Sequence, residues 1–181
     1  MSLADQLTLT RIAAVPIVVA LFVWDFDGHD WWATAVFIAA MSTDFFDGRV
    51  ARWQGHTSPL GSLLDPVADK VLVLSVLIVL IGSDVFPAWM VAAIVARELL
   101  VSGLRLAALE RGVVMQARDL GKLKTWSQAT AAAVGGFAAA GAWDDQIAWW
   151  ALVVALVLTW VSGLDYARVA PGLLRGRPVS P

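Results

Sequence analysis

Six apolar stretches divide this chain, at about Leu7–Trp24, Trp31–Trp53, Leu60–Ile81, Phe86–Leu109, Leu120–Ala142 and Ile147–Val169. Each has roughly the 17–25 residues that a helix needs to cross the hydrocarbon of a bilayer. The breaks between them carry turn chemistry: Asp25-Phe26-Asp27-Gly28, Gly55-His56-Thr57-Ser58-Pro59, Gly82-Ser83-Asp84 and Gly141-Ala142-Trp143-Asp144-Asp145. The expected fold is therefore all-α. It is a polytopic membrane protein, a six-transmembrane-helix bundle over residues 1–170 with a Pro/Arg-rich tail over 171–181. Composition points the same way, since a soluble domain with 59% hydrophobic and 15% charged residues would precipitate. The first run is read as a retained helix rather than a signal peptide, because Trp24-Asp25-Phe26-Asp27 makes a poor cleavage site. Without cysteine the chain has no disulfide, thiolate metal site or thiol nucleophile. A net charge of −2 gives no reason to expect a nucleic-acid partner.

Charge placement sets the orientation. The segments after the first, third and fifth stretches hold Asp25, Asp27, Asp30, Asp84, Asp144 and Asp145 and no basic residue, whereas every Lys and Arg lies toward the opposite ends. Both termini are thus expected in the cytoplasm. Trp24, Trp31, Trp32, Trp89, Trp143, Trp149 and Trp150 fall at the outer ends and Trp53 and Trp126 near the inner ones, as in interfacial aromatic belts; the alternative is that they are ordinary core residues. His29 and His56 are isolated loop histidines, read as surface residues.

The second stretch turns polar after Met41, and Asp44, Asp47, Gly48 and Ala51 share one helical face at spacings of three, four and seven. The third stretch places Gly61, Asp65 and Asp69 at intervals of four. Asp44 lies thirteen positions from Trp31 and Asp69 thirteen from Gly82, so both sit about 20 Å from the outer surface at ~1.5 Å per residue. An antiparallel pair would gather four carboxylates at one level. Packed in a low-dielectric bundle, they repel unless cations neutralise them. Oxygen-only ligands select hard ions, and two divalent ions such as Mg²⁺ or Mn²⁺ would balance four Asp. Paired ions suit phosphoryl transfer. The small residues Gly48, Ala51 and Gly61 leave room for a ligand, or serve close helix packing.

The run Asp44-x-x-Asp47-Gly48-x-x-Ala51-Arg52, then eight residues, then Gly61-x-x-x-Asp65-x-x-x-Asp69, resembles the signature of the CDP-alcohol phosphotransferase family at every fixed position. The resemblance implies a six-helix enzyme, a homodimer, that displaces CMP from a CDP-activated lipid by attack of an alcohol. It implies metal binding by Asp44, Asp47, Asp65 and Asp69, with Asp69 also the general base, and reception of the CDP portion by Gly48, Ala51, Arg52 and Gly61. Leu7–Arg11, Leu64–Lys70, Ala96–Arg105 and Gly121–Thr125 further resemble blocks of the bacterial phosphatidylglycerophosphate synthases, so the likeness runs from about Leu7 to Thr125. Ala4-Asp5 departs from the Pro-Asn common in that family.

The charges give independent support for an anionic acceptor, because Arg11, Arg97, Arg105, Arg118, Lys122 and Lys124 lie toward the cytoplasmic half, where several could bind a phosphate. Arg97 and Arg105 lie within a helix, where an unpaired charge is costly and Glu98 offsets only part of it. Arg118, Lys122 and Lys124 are equally explained by the positive-inside rule or by anionic lipid. The expected reaction joins CDP-diacylglycerol to sn-glycerol 3-phosphate, giving phosphatidylglycerophosphate and CMP at the cytoplasmic face of the cell membrane. Competing expectations keep the chemistry with phosphatidylglycerol or inositol phosphate as acceptor. A cation transporter would explain the carboxylates, though not their confinement to one half of the membrane.

Overall fold

The computed structural model describes the backbone of residues 3–54, 59–110 and 119–174, and the side chains of residues 10–42, 70–110 and 121–164. Six helices follow one another: α1 (Leu3–Val23), α2 (His29–Gln54), α3 (Pro59–Gly82), α4 (Ala88–Glu110), α5 (Asp119–Ala139) and α6 (Asp145–Leu174). No strand occurs among the described residues. The all-α expectation holds, and two helices outrun by four residues or more, at one end, the apolar runs that announced them. The first begins at Leu3 rather than Leu7, and the last continues past Val169 through Pro171 to Leu174. An apolar run marks the stretch that tolerates hydrocarbon, whereas a helix continues wherever backbone hydrogen bonds can still form.

Local chemistry explains several ends. At the close of α5, Gly141 adopts a φ of 70°, which an L side chain resists. The Ala142 N–H then donates to the Phe137 carbonyl at 2.9 Å and the Gly141 N–H to Ala138 at 2.8 Å, satisfying carbonyls the helix would leave bare. Helix α6 starts where Asp144 Oδ1 accepts from the Gln146 N–H at 2.7 Å, an N-cap that also places a negative charge at the positive end of the helix dipole. Between α3 and α4, Asp84 takes a φ of 58°, a conformation that Asp tolerates better than most residues.

Helix α1 packs on both α2 and α3; α5 packs on α2, α3 and α6; α4 rests on α3 and α6. The core they enclose is read from helical stripes. On α3, Val73, Val76, Leu77 and Leu80 recur at three and four, and on α6 Ala148, Leu152 and Ala155 do the same. Small residues let α2 and α5 approach closely: a Cβ on Gly136 would overlap Thr34 Oγ1, whose hydroxyl donates to the Asp30 carbonyl at 2.7 Å. Gly136→Ala should therefore destabilise the bundle by about 1–3 kcal/mol through overpacking. Thermal unfolding of the purified protein in detergent checks this, and an unchanged midpoint would count against the close approach.

The exterior is also apolar. Ile17, Ile78, Leu99, Leu100, Val154, Val157 and Leu164 are all exposed on the bundle's flanks. Trp24, Trp31, Trp32, Trp89, Trp143, Trp149 and Trp150 are exposed as well, so the alternative of core tryptophans fails for them; Trp53 lies outside the described side chains. Among the described residues, one segment, Asp145–Leu164, is both long and apolar enough to cross a membrane on its own, with shorter apolar segments at Thr10–Val23 and Lys70–Gly82.

Candidate functional site

Three helices switch character along a single buried stripe. On α4 the line through Met90, Val91 and Ile94 continues into Arg97, Glu98 and Val101. On α6 the line through Ala148, Leu152 and Ala155 continues into Thr159 and Ser162, and on α5 Ala131 and Ala132 give way to Gln128 and Lys124. α4 and α6 run in one sense and α5 in the other, so all three polar segments fall at the same end of the bundle. Buried polar groups in such a place must find one another.

They do so around Glu98, whose side chain is only 2% exposed. Its Oε1 accepts hydrogen bonds from Lys124 Nζ on α5, from Arg97 Nη1 at 3.0 Å and from Gln128 Nε2 at 3.2 Å. Gln128 Nε2 also donates to Thr159 Oγ1 at 2.7 Å, and Arg97 Nη2 donates to Ser162 Oγ at 2.7 Å, tying α6 into the cluster. Glu98 Oε2 has no hydrogen bond and stands 3.8 Å from Lys70 Nζ on α3. Lys70 in turn donates to Ser102 Oγ at 2.7 Å, one turn beyond Glu98 on α4. One carboxylate thus links four helices. Helix α6 can come this close because position 163 is glycine: a Cβ there would lie 2.9 Å from Arg97 Nε.

Lys70 directly follows Asp69, so the cation cluster adjoins the acidic stretch in sequence. Asp44 and Asp47 lie on α2, and Asp65 and Asp69 on α3. Their side chains, with those of Gly48, Ala51, Arg52 and Gly61, lie outside the described ones. Helical geometry alone gives each pair a common face, at i, i+3 for Asp44 and Asp47 and at i, i+4 for Asp65 and Asp69. Both parent helices pack on α1. Chemically, the donor set is four carboxylates with no sulfur or imidazole, which fits hard divalent ions. Among the described residues no other group of three or more His, Asp or Glu could hold a metal.

The structure sorts the basic residues picked from the sequence. Arg11, Arg97 and Lys124 are buried, Arg105 is half-buried and Lys122 is exposed, while Arg118 lies outside the described residues. The structure therefore brings Arg97 and Lys124 together on Glu98. Lys70, Gln128, Ser102, Thr159 and Ser162 escaped the sequence reading as site residues. A signal for Lys70 existed: it lies twelve positions inside Gly82, and Glu98 ten positions inside Ala88, on adjoining ends of α3 and α4. His29 is half-buried rather than a free surface residue, with Nδ1 3.4 Å from Asp30 Oδ1, and His56 lies outside the described residues. A groove of about 730 Å³ occupies the other end of the molecule, walled by Asp84, Asp145, Gln146, Trp149 and Trp150. It has no basic lining and is ill suited to a phosphate.

Comparison with known proteins bears on the whole chain. The family model described as CDP-alcohol phosphatidyltransferase matches residues 1–161. The match therefore extends through α5 and into α6, well beyond the limit near Thr125 drawn from the sequence blocks. A CDP-diacylglycerol–glycerol-3-phosphate 3-phosphatidyltransferase from Bacillus subtilis (strain 168) is 41% identical over 139 residues, covering 70% of this chain and 72% of its own. A probable phosphatidylglycerophosphate synthase from Mycobacterium tuberculosis (strain ATCC 25618 / H37Rv) is 40% identical over 177 residues, 93% of this chain and 81% of its own. A CDP-diacylglycerol–glycerol-3-phosphate 3-phosphatidyltransferase from Rickettsia bellii (strain RML369-C) is 33% identical over 170 residues, 92% of this chain and 94% of its own.

Proposed function

The chain belongs to the CDP-alcohol phosphatidyltransferase family, and from that membership we propose that it transfers the phosphatidyl group of CDP-diacylglycerol to sn-glycerol 3-phosphate. The products are phosphatidylglycerophosphate and CMP. The observation that carries this reading is the unbroken acidic signature on α2 and α3, in a chain similar along its length to proteins named for that reaction. Cation transport, the competing use of such carboxylates, gains nothing from this membership.

In the proposed reaction a free hydroxyl of glycerol 3-phosphate attacks the phosphorus that bears the diacylglycerol. A new P–O bond forms, the bond from that phosphorus to the bridging pyrophosphate oxygen breaks, and CMP leaves with that oxygen. Asp69 takes the proton from the attacking hydroxyl as general base. Asp44, Asp47, Asp65 and Asp69 would hold two divalent cations, Mg²⁺ or Mn²⁺, which when bound supply charge neutralisation at the phosphate oxygens. Gly48, Ala51, Arg52 and Gly61 receive the CDP portion. The basic set of Arg11, Arg97, Arg105, Arg118, Lys122 and Lys124 provides the field for the acceptor's phosphate. Within it the buried pair Arg97 and Lys124 acts from behind Glu98.

The lipid substrate requires contact with a bilayer. The apolar flanks, the exposed tryptophans and the one self-sufficient segment support six membrane crossings, with both termini and the site on the cytoplasmic side. A homodimer is part of the same reading. Purified protein given CDP-diacylglycerol, Mg²⁺ or Mn²⁺ and a panel of alcohols should release CMP with glycerol 3-phosphate. Release only with phosphatidylglycerol or inositol phosphate would reject the acceptor chosen here.

A further inference from the structure

We propose that Lys70, a residue outside the acceptor set read from the sequence, binds the phosphate of the acceptor directly. This inference rests on the phosphatidyltransfer reading above and adds to it the group that meets the acceptor's charge.

Charge comes first. Among the described side chains the cluster holds three cations, Lys70, Arg97 and Lys124, against the single carboxylate of Glu98, a surplus of two positive charges. Arg105 adds its repulsion at Lys70. Such a surplus in a helix bundle calls for an anion, and a phosphate monoester near neutral pH carries about −1.5 to −2. Access comes second. Arg97 and Lys124 are only 4% and 7% exposed, both are bonded to Glu98 and Arg97 also to Ser162, so burial keeps them from a ligand unless they leave these partners. The Lys70 side chain is 30% exposed. Its ammonium has three N–H donors, of which Ser102 takes one, and Glu98 Oε2 at 3.8 Å is beyond hydrogen-bond reach. Two donors remain for a ligand.

Position comes third. Lys70 follows Asp69 on α3, so the proposed anchor and the proposed base spring from adjacent backbone positions of one helix. Glycerol 3-phosphate has hydroxyls on C2, next to the phosphate-bearing C3, and on C1 beyond it, so anchoring the phosphate also confines the attacking hydroxyl. Ser102 fixes the anchor, and Glu98 Oε2, at 3.8 Å, restrains it electrostatically without taking one of its donors.

The test is steady-state CMP release by the full chain in detergent, varying each substrate while the other saturates. Lys70→Met, which keeps the aliphatic stem, should raise KM for glycerol 3-phosphate at least about tenfold and shift KM for CDP-diacylglycerol by less than about twofold. Inorganic phosphate should lose potency as an inhibitor in parallel, and Lys70→Arg should recover most of the loss. An acceptor KM within about twofold of the parent, or an equal rise in both KM values, would overturn the proposal. Should Lys70→Met fail to fold, Ser102→Ala decides, since it keeps every charge and frees the ammonium; acceptor KM should rise about threefold, and no rise counts against the assignment. If the parent protein ignores glycerol 3-phosphate, the functional reading fails first. The same KM comparison then runs on whichever phosphate-bearing alcohol releases CMP, and release only with alcohols lacking a phosphate monoester, or with none, overturns the Lys70 assignment too.

Discussion

Asp69→Asn lowers CMP release by roughly a thousandfold or more while leaving the helical bundle intact: this is the expected result if Asp69 has the role proposed for it. The amide keeps the shape of the carboxyl and loses both its negative charge and its capacity to accept a proton. A positioned general base alone is worth about 10²–10⁴ in rate, and a lost metal-binding carboxylate deepens the deficit. Retained far-ultraviolet circular dichroism and an unchanged melting midpoint would place the loss in the chemistry. A variant keeping a tenth or more of the parent's turnover would remove Asp69 as base.

The second large effect concerns stability. Glu98→Ala removes the carboxylate shared by Lys124, Arg97 and Lys70 and leaves Gln128 Nε2 with Thr159 as its remaining acceptor. Breaking a buried ion pair from one side typically costs about 3–5 kcal/mol, because the surviving charges stay desolvated without compensation. At ~2–4 °C per kcal/mol for a chain of this size, the melting midpoint should fall by about 6–20 °C. Glu98→Gln, which keeps the volume and one acceptor oxygen, should fall less. A shift under about 2 °C for the alanine variant would mean that water already reaches these cations and that the cluster is not a structural keystone.

How much of this could be read from residues alone divides by physical range. The helices were legible because membrane-length apolar runs and Gly, Asp and Pro punctuation are local signals, and Leu60–Ile81 against the observed Pro59–Gly82 shows how closely they track. Ends governed by hydrogen-bond completion were less so, as at Leu3 and Leu174. Packing order was not legible: nothing in the sequence says that α1 lies against both α2 and α3, because all six helices offer apolar faces of similar character. The acidic stretch stood out because its spacing is a rigid pattern within two adjacent segments. The sequence offers Glu98 as a partial counter-charge for Arg97 and Arg105, whereas it serves Lys124, Arg97 and Lys70, drawn from three helices. Partnerships between residues 26 and 28 positions apart depend on helix rotation, which a hydropathy pattern alone leaves open.

The shared carboxylate also bears on how the chain is assembled. Helix α4 is synthesised with Arg97 and Glu98 already in its middle, before Lys124, Gln128, Thr159 and Ser162 exist to receive them. Until the last two helices emerge, Glu98 has only Arg97 and Lys70, among the described side chains, to offset it, and Arg97 lacks the hydroxyl of Ser162. The C-terminal hairpin, which carries none of the signature residues, thus supplies the remaining polar partners for the buried charges of α4.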